Sequence, residues 1–357
     1  MAQLLNEIEW DAPLVPPVVV PEWETEAKQR FGGSSDYLRR VAPVPWLRET
    51  CASWLLCPIT ALPVRLADLM FLVVSQENAC RYCYGAARAH MRMLGYSERV
   101  ISQIEREVQL AELDEKDQAF IRFCRNLARS NPRPARAQRD ELIRVGFSPL
   151  QIKEATFMIV DHCFHNRVAS FLACPPVVTY ERLGRSFLGR LLRPILATAN
   201  RRSVPVPADF VAPEGAPFAR VTGALAGLPA AYLLDRTLNG AFASPILSRR
   251  IKALMFGVVA RMLECSFCQP ESRKLLQAQG FSGEEVDACL ASLSSPRLDA
   301  RESAILTWVR ETVRYQPSQI QKRTRALSET IGVQAMIEAV GVAALANATV
   351  RVAMLLE

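Results

Sequence analysis

Apolar residues recur along the chain at helical spacing. LADLMFLVVS (66–75) is a nearly continuous apolar run, and in DEKDQAFIRFCRNLARS (114–130) Phe120, Phe123, Cys124 and Leu127 fall on one face, the three- and four-residue rhythm of an amphipathic helix. ENA (77–79) breaks the first run, and CRYCYGAARAHMRMLG (80–95) forms the next helix, stopped at Gly95, a residue suited to a left-handed C-terminal cap. Ser97 and Asp114 stand where helix N-caps belong. A further helix is predicted after Pro132, and a long one from Ser148 through TFMIVDHCFHNRVASFLA. No stretch alternates with period two for long enough to make a convincing strand, so the pattern predicts an all-α protein.

The pattern also repeats. Arg65 to Ser97 aligns with Arg250 to Ser282 at a constant offset of 185, without a gap, with 11 of 33 positions identical. Both C-x-x-C pairs, Cys80/Cys83 and Cys265/Cys268, are among them, with Gly95/Gly280 and Ser97/Ser282. Downstream, Leu113-Asp114 matches Leu298-Asp299 and Pro132 matches Pro317; one residue out of step, Glu154 and Arg167 match Glu338 and Arg351. Similarity at a fixed period reads as a tandem duplication.

The expected organisation is an extended N-terminal arm (1–34), a first unit (35–178), a connecting segment (179–216) and a second unit (217–357). The arm carries DAPLVPPVVVPEW and the connection SVPVPADFVAPEGAP, both too rich in proline to continue a helix. The arm is expected to wrap the other repeat or a second subunit. Within the connection, Tyr180 to Arg202 sets Phe187, Leu188, Leu191, Leu192 and Ile195 against Arg182, Arg185, Arg190 and Arg193. Such a stripe most often packs on its own protein, and membrane contact is not expected.

At 357 residues with 50% apolar and 22% charged side chains, the chain can bury full cores. Its net charge of +7 is spread along the chain rather than clustered, so nucleic acid is not an expected partner. The start is acidic where a signal peptide would be basic, and no run reaches the roughly 18 uninterrupted apolar residues that span a bilayer. A cytoplasmic location is expected, where ten cysteines with two C-x-x-C pairs read as redox or metal chemistry.

With Asn78 as the N-cap, Cys80 would occupy the first turn of its helix, where unpaired N–H groups and the helix dipole favour a thiolate. Cys83, one turn on, can close a disulfide with it. Glu77 and His90 are candidate bases. His162 and His165, at i and i+3 on the last helix of the first unit, can hold a metal or line the thiol pocket. The second unit has Leu345 to Thr349 there instead, so no metal and no cofactor is expected. The second cysteine pair is expected to be less reactive, because Glu264 abuts Cys265 and Pro270 delays the helix start.

An apolar helix, a short break, C-x-x-C opening the next helix, a Gly-Tyr/Phe-Ser turn and a closing helix carrying R-V-A resemble the alkylhydroperoxidase D-like and carboxymuconolactone decarboxylase-like superfamily. The resemblance covers about 35–178 and 217–357. It implies an all-helical, oligomeric protein, with a peroxidase motif of a glutamate about twelve residues before the first cysteine and a histidine four after the second. Here Asp68 and Ala253 stand at the glutamate position, Ala87 and Ser272 at the histidine position. The resemblance implies Cys83 as the nucleophile, whereas helix-end electrostatics favour Cys80. The expected function is that of a thiol-dependent oxidoreductase acting on a peroxide or an electrophilic organic substrate, with an external thiol or dithiol reductant. Decarboxylase or ring-opening chemistry is the alternative, and a non-catalytic scaffold with a relic site the third reading.

Overall fold

A computed structural model describes residues 3–106, 113–129, 136–186, 206–207 and 209–356. The N-terminal half holds α1 (Pro21–Phe31), α2 (Asp36–Val41), α3 (Pro45–Trp54), α4 (Val64–Glu77), α5 (Arg81–Met93), α6 (Glu98–Arg106), α7 (Glu115–Arg129), α8 (Arg136–Arg144), α9 (Pro149–Phe171) and α10 (Val178–Arg185). The C-terminal half holds α11 (Ala219–Gly223), α12 (Pro229–Ala243), α13 (Arg249–Met262), α14 (Cys268–Gln277), α15 (Gly283–Ser292), α16 (Ala300–Glu311), α17 (Pro317–Ile331) and α18 (Val333–Ala353). There is no strand among the described residues, and the fold is all-α.

Local chemistry sets these boundaries. Ser97 and Asp114 accept the N–H groups of Val100 and Asp117, and 185 residues later Ser282 and Asp299 accept those of Glu285 and Glu302. Each satisfies one of the donors that a helix start leaves open. Helices α4 and α13 begin and end 185 residues apart, and α3 to α9 are followed in the same order by α12 to α18. Of the basic amphipathic stretch, only Tyr180 to Ser186 is described, and its first turns form the end of α10. The stripe from Phe187 to Ile195, Pro132, and residues 203–205 and 208 of the connection lie outside the described residues.

Helices α9 and α18 are buried on nearly every side and pack on each other. The segment Val333–Leu356 is apolar enough to cross a membrane by length and composition, but 89% of its most apolar 18-residue window is buried inside the protein. The other helices surround this pair, α4 and α7 beside α9, α13 and α17 beside α18. Helix α10 lies on α5 at close range, because a side chain at Gly184 would meet the Ala89 backbone at 2.8 Å. The N-terminal arm, expected to be extended over 1–34, is instead helical from Pro21 to Phe31, where a proline fits the first turn, and its earlier residues are strapped to both halves. Trp10 Nε1 donates to the Cys174 carbonyl (3.0 Å) and Leu14 N–H to that of Leu172 (3.1 Å). Asp11 N–H donates to Gln321 (2.9 Å), and Arg325 to the Ala12 carbonyl (3.1 Å).

The buried glutamates of the two central helices are answered by loop N–H groups and by neighbouring helices. Glu154 accepts the backbone N–H groups of Thr60, Ala61 and Leu62. Glu338, its counterpart on α18, accepts from Leu247 N–H (2.6 Å) and Trp46 Nε1 (3.0 Å) and pairs with Lys252 (3.2 Å). Burial holds the Lys252 ammonium below its ordinary value, an effect that Glu338 only partly offsets; the Ala241 and Ser244 carbonyls take its other protons. Removing one member of such a pair leaves an uncompensated buried charge. Glu338→Ala is therefore expected to cost about 3–5 kcal/mol in urea denaturation. The double change Lys252→Met with Glu338→Leu should recover most of that loss.

Candidate functional site

The C-x-x-C of the N-terminal half sits at a sharp junction. Asn78 ends α4, Ala79 takes a left-handed conformation (φ 47), Ala79 N–H returns to the Gln76 carbonyl and Cys80 N–H to that of Ser75. This double closure satisfies the last carbonyls of the helix, and it throws Cys80 directly onto the start of α5. The same device recurs at Glu264 (φ 51), with Glu264 N–H on Arg261 and Cys265 N–H on Ala260.

Cys80 is itself the N-cap of α5: its Sγ accepts the Cys83 N–H at 3.3 Å. That corrects the expectation for Asn78, whose amide instead bonds Asn166 on α9 (3.1 Å) and the Val74 carbonyl (3.0 Å). Cys80 is 0% and Cys83 6% exposed, and both are thiols. Burial pushes the Cys80 thiol up, but the Cys83 thiol and N–H, the Ser170 hydroxyl and the Tyr82 N–H outweigh it, and its net direction is down. Burial and the neighbouring Cys80 sulfur push Cys83 well up, against the Asn166 amide. Of the two, Cys80 is therefore the one that gives up its proton first, its sulfur facing the helix N–H groups while Cys83 stays the harder to ionise.

A polar shell that the sequence did not announce surrounds the pair. Tyr82, inside the motif, stacks on Tyr37 of α2 (centroids 5.8 Å apart). The Tyr37 hydroxyl shares a hydrogen bond with His165 Nδ1 (2.8 Å) and lies 3.4 Å from Cys51 Sγ; His165 Nε2 lies 3.1 Å from Asp161. From the other half, Tyr315 donates to the Asn78 carbonyl (3.1 Å), with Arg167 over its ring. Cys174, whose carbonyl holds Trp10 of the arm, adds to the upward push on Cys83. His165 was already a candidate from the sequence, and Tyr82 carried a signal in its place between the cysteines; Tyr37, Asn166, Ser170, Cys174 and Tyr315 arrive by long-range packing.

The remaining candidates separate. The Glu77 carboxylate is buried against Arg125 (2.6 Å) and Arg129, an ion-pair anchor for the end of α4. Asp68 and His90 pair with each other (Oδ1 to Nε2, 3.3 Å) at the far end of the α4–α5 hairpin, His90 lying seven residues, roughly 10 Å, beyond Cys83. Asp68 lines a cavity of about 340 Å³ with Arg65 and Tyr96, which no cysteine reaches. His162 turns from His165: its Nδ1 lies 2.9 Å from the Met158 carbonyl and its ring packs on Phe71. Burial pushes the His162 ring down, against the nearby Asp161 carboxylate. In the second pair, the Cys268 N–H lies 3.3 Å from Cys265 Sγ, but α14 begins only at Cys268, with Pro270 in its first turn.

Alkylation of Cys80 is expected to reach half its limiting rate below the ordinary thiol value of pH 9.0, while Cys83 lags far behind. The sign follows from the downward direction: thiolate is present above the folded midpoint and lost as pH falls through it. Loosening the arm with Trp10→Ala should raise the Cys80 rate roughly tenfold, since the sulfur becomes reachable by local opening, without moving the midpoint. Peptide mass spectrometry after timed alkylation reads both quantities.

No family model and no curated protein matches the chain. Among solved structures, the chain is similar to one from Ralstonia eutropha described as an alkylhydroperoxidase AhpD core and an uncharacterized peroxidase-related protein. The identity is 17%, the match covers 46% of this chain and 88% of that one, and the TM-score is 0.40. It is also similar to an uncharacterized peroxidase-related protein from Silicibacter, at 21% identity over 48% of this chain and 92% of that one, with a TM-score of 0.37.

Proposed function

We propose that the chain is a thiol-dependent oxidoreductase of the alkylhydroperoxidase D-like type, made of two tandem copies of one helical unit, whose working site is the Cys80/Cys83 dithiol. The observation that carries this reading is the Cys80 sulfur serving as the N-cap of α5 with Cys83 one turn away. The repeated junction ahead of each C-x-x-C and the repeated caps at an offset of 185 support the tandem reading.

In the proposed cycle the Cys80 thiolate attacks a hydroperoxide oxygen. A sulfur–oxygen bond forms, the oxygen–oxygen bond breaks, and the alkoxide leaves as the alcohol once protonated. The Cys83 sulfur, giving up its proton, then attacks the sulfenic acid on Cys80 and expels water. Two thiols have lost two electrons to the peroxide, and an external dithiol restores them by exchange. His165, hydrogen-bonded at Nδ1 to the Tyr37 hydroxyl, which lies within electrostatic reach of Cys83, is the residue assigned to move the proton, in place of the histidine absent at Ala87. The cycle calls for a reducing compartment, and the second cysteine pair serves as a slower or structural site.

A second reading has its own observation, the Asp68–His90 pair beside a cavity bearing Arg65, an arrangement suited to acid–base work on a small organic acid. Cysteine variants separate the two. One equivalent of an organic hydroperoxide should convert Cys80 and Cys83 to a disulfide in the reduced protein, and Cys80→Ser should abolish both disulfide and peroxide consumption. Peroxide consumption that survives Cys80→Ser and Cys83→Ser would reject the dithiol. His165→Asn is expected to slow the peroxide step about 100-fold and flatten its pH dependence, a signature that loss of packing alone does not give.

A further inference from the structure

The two halves of the chain meet at a second cavity, of about 400 Å³, walled by one face of α8, the first turn of α9, the end of α11 and the turn Met354–Leu356. Its apolar lining comes from Ile143, Ile152, Leu355 and Leu356. Ile143 is half exposed although apolar, and Leu150 on the adjoining turn of α9 is exposed as well. Arg136, Arg139 and Lys153 also line the cavity, against one carboxylate among the described residues, that of Asp140. Arg139 reaches across the seam to the Leu355 carbonyl (2.7 Å), and Lys153 Nζ lies 3.4 Å from the Ala226 carbonyl. These contacts hold the two cations at the wall, over the apolar lining.

The spacing behind this lining is helical. Arg136, Arg139, Asp140 and Ile143 share one face of α8, while Pro149, Ile152 and Lys153 share one face of α9. An apolar hollow of this size with a few placed polar groups has the make-up of a small-molecule site. Guanidinium and ammonium groups above aliphatic side chains match one chemistry, an anionic head on an aliphatic tail.

We propose that this cavity binds a medium-chain aliphatic carboxylate, its head group between Arg136, Arg139 and Lys153 and its tail along Ile143, Ile152 and Leu356. No cysteine lines the cavity, so the site stands or falls separately from the dithiol.

The test is calorimetric titration of the full-length protein with decanoate, kept below its micellar concentration. Saturable one-to-one binding is expected, weakening as salt rises. Arg136→Gln and Lys153→Gln should each weaken it about tenfold, the loss of one charge-assisted contact. Both side chains lie at the surface of the wall, so the thermal midpoint should not move. 1-Decanol, with the same tail and no charge, should bind at least about tenfold more weakly. Binding that fails to saturate, that is unchanged in both variants, or that decanol matches would overturn the proposal.

Discussion

The packing of α9 against α18 is the constraint on which the rest of the structure depends. Neither has a distinct polar face to turn to solvent, both are buried on nearly every side, and burying both requires the two halves of the chain to close over them. The charges carried on these helices are then forced into the interior and must be matched there. Glu154 and Glu338 gather loop N–H groups ahead of α4 and α13. Arg167 bonds Asn78 and lies over Tyr315, while Arg351 donates to the Leu127 and Ala128 carbonyls at the end of α7. A cation at those carbonyls also complements the negative end of the α7 dipole.

The dithiol hangs from this seam. Asn78, the C-cap of α4, is held from below by Asn166 and Arg167 on α9 and from the other half of the chain by Tyr315. With Asn78 fixed, Ala79 is driven left-handed and Cys80 is delivered to the start of α5 at a defined angle. The electrostatics that divide the two cysteines follow from this placement. One sulfur faces helix N–H groups, the other faces that sulfur, and burial raises the cost of ionising both. Reactivity is set against access, since the arm and the packed helices leave almost no sulfur surface exposed.

Helix caps were legible because they are local. Ser97, Asp114, Ser282 and Asp299 cap where a polar residue precedes an amphipathic run, and the hydrogen bond involved spans only three residues. The same logic erred at Asn78, where a good capping residue lies two positions from a cysteine that takes the cap itself. Sequence spacing does not reveal that the Asn78 amide is claimed by α9. Glu77 was misread as an available base for the same reason: Arg125 and Arg129 lie 48 and 52 residues away, and their pairing with it depends on how α7 lies against α4.

By itself the sequence determined the all-α class, the positions of most helix ends and the repetition of its pattern at 185 residues, because periodicity and capping act within a few residues of the chain. It also singled out Cys80 and Cys83 as the candidate chemical centre. Which groups surround those sulfurs was decided by tertiary structure alone. Tyr37, His165 and Tyr315 reach the site across separations of tens to hundreds of residues. Asp68 and His90 are drawn into their own pair at the other end of the hairpin. The physical reason is that hydrogen bonds and charge pairs act over a few ångströms of space, and only the closing of two apolar helices on each other settles which residues share that space.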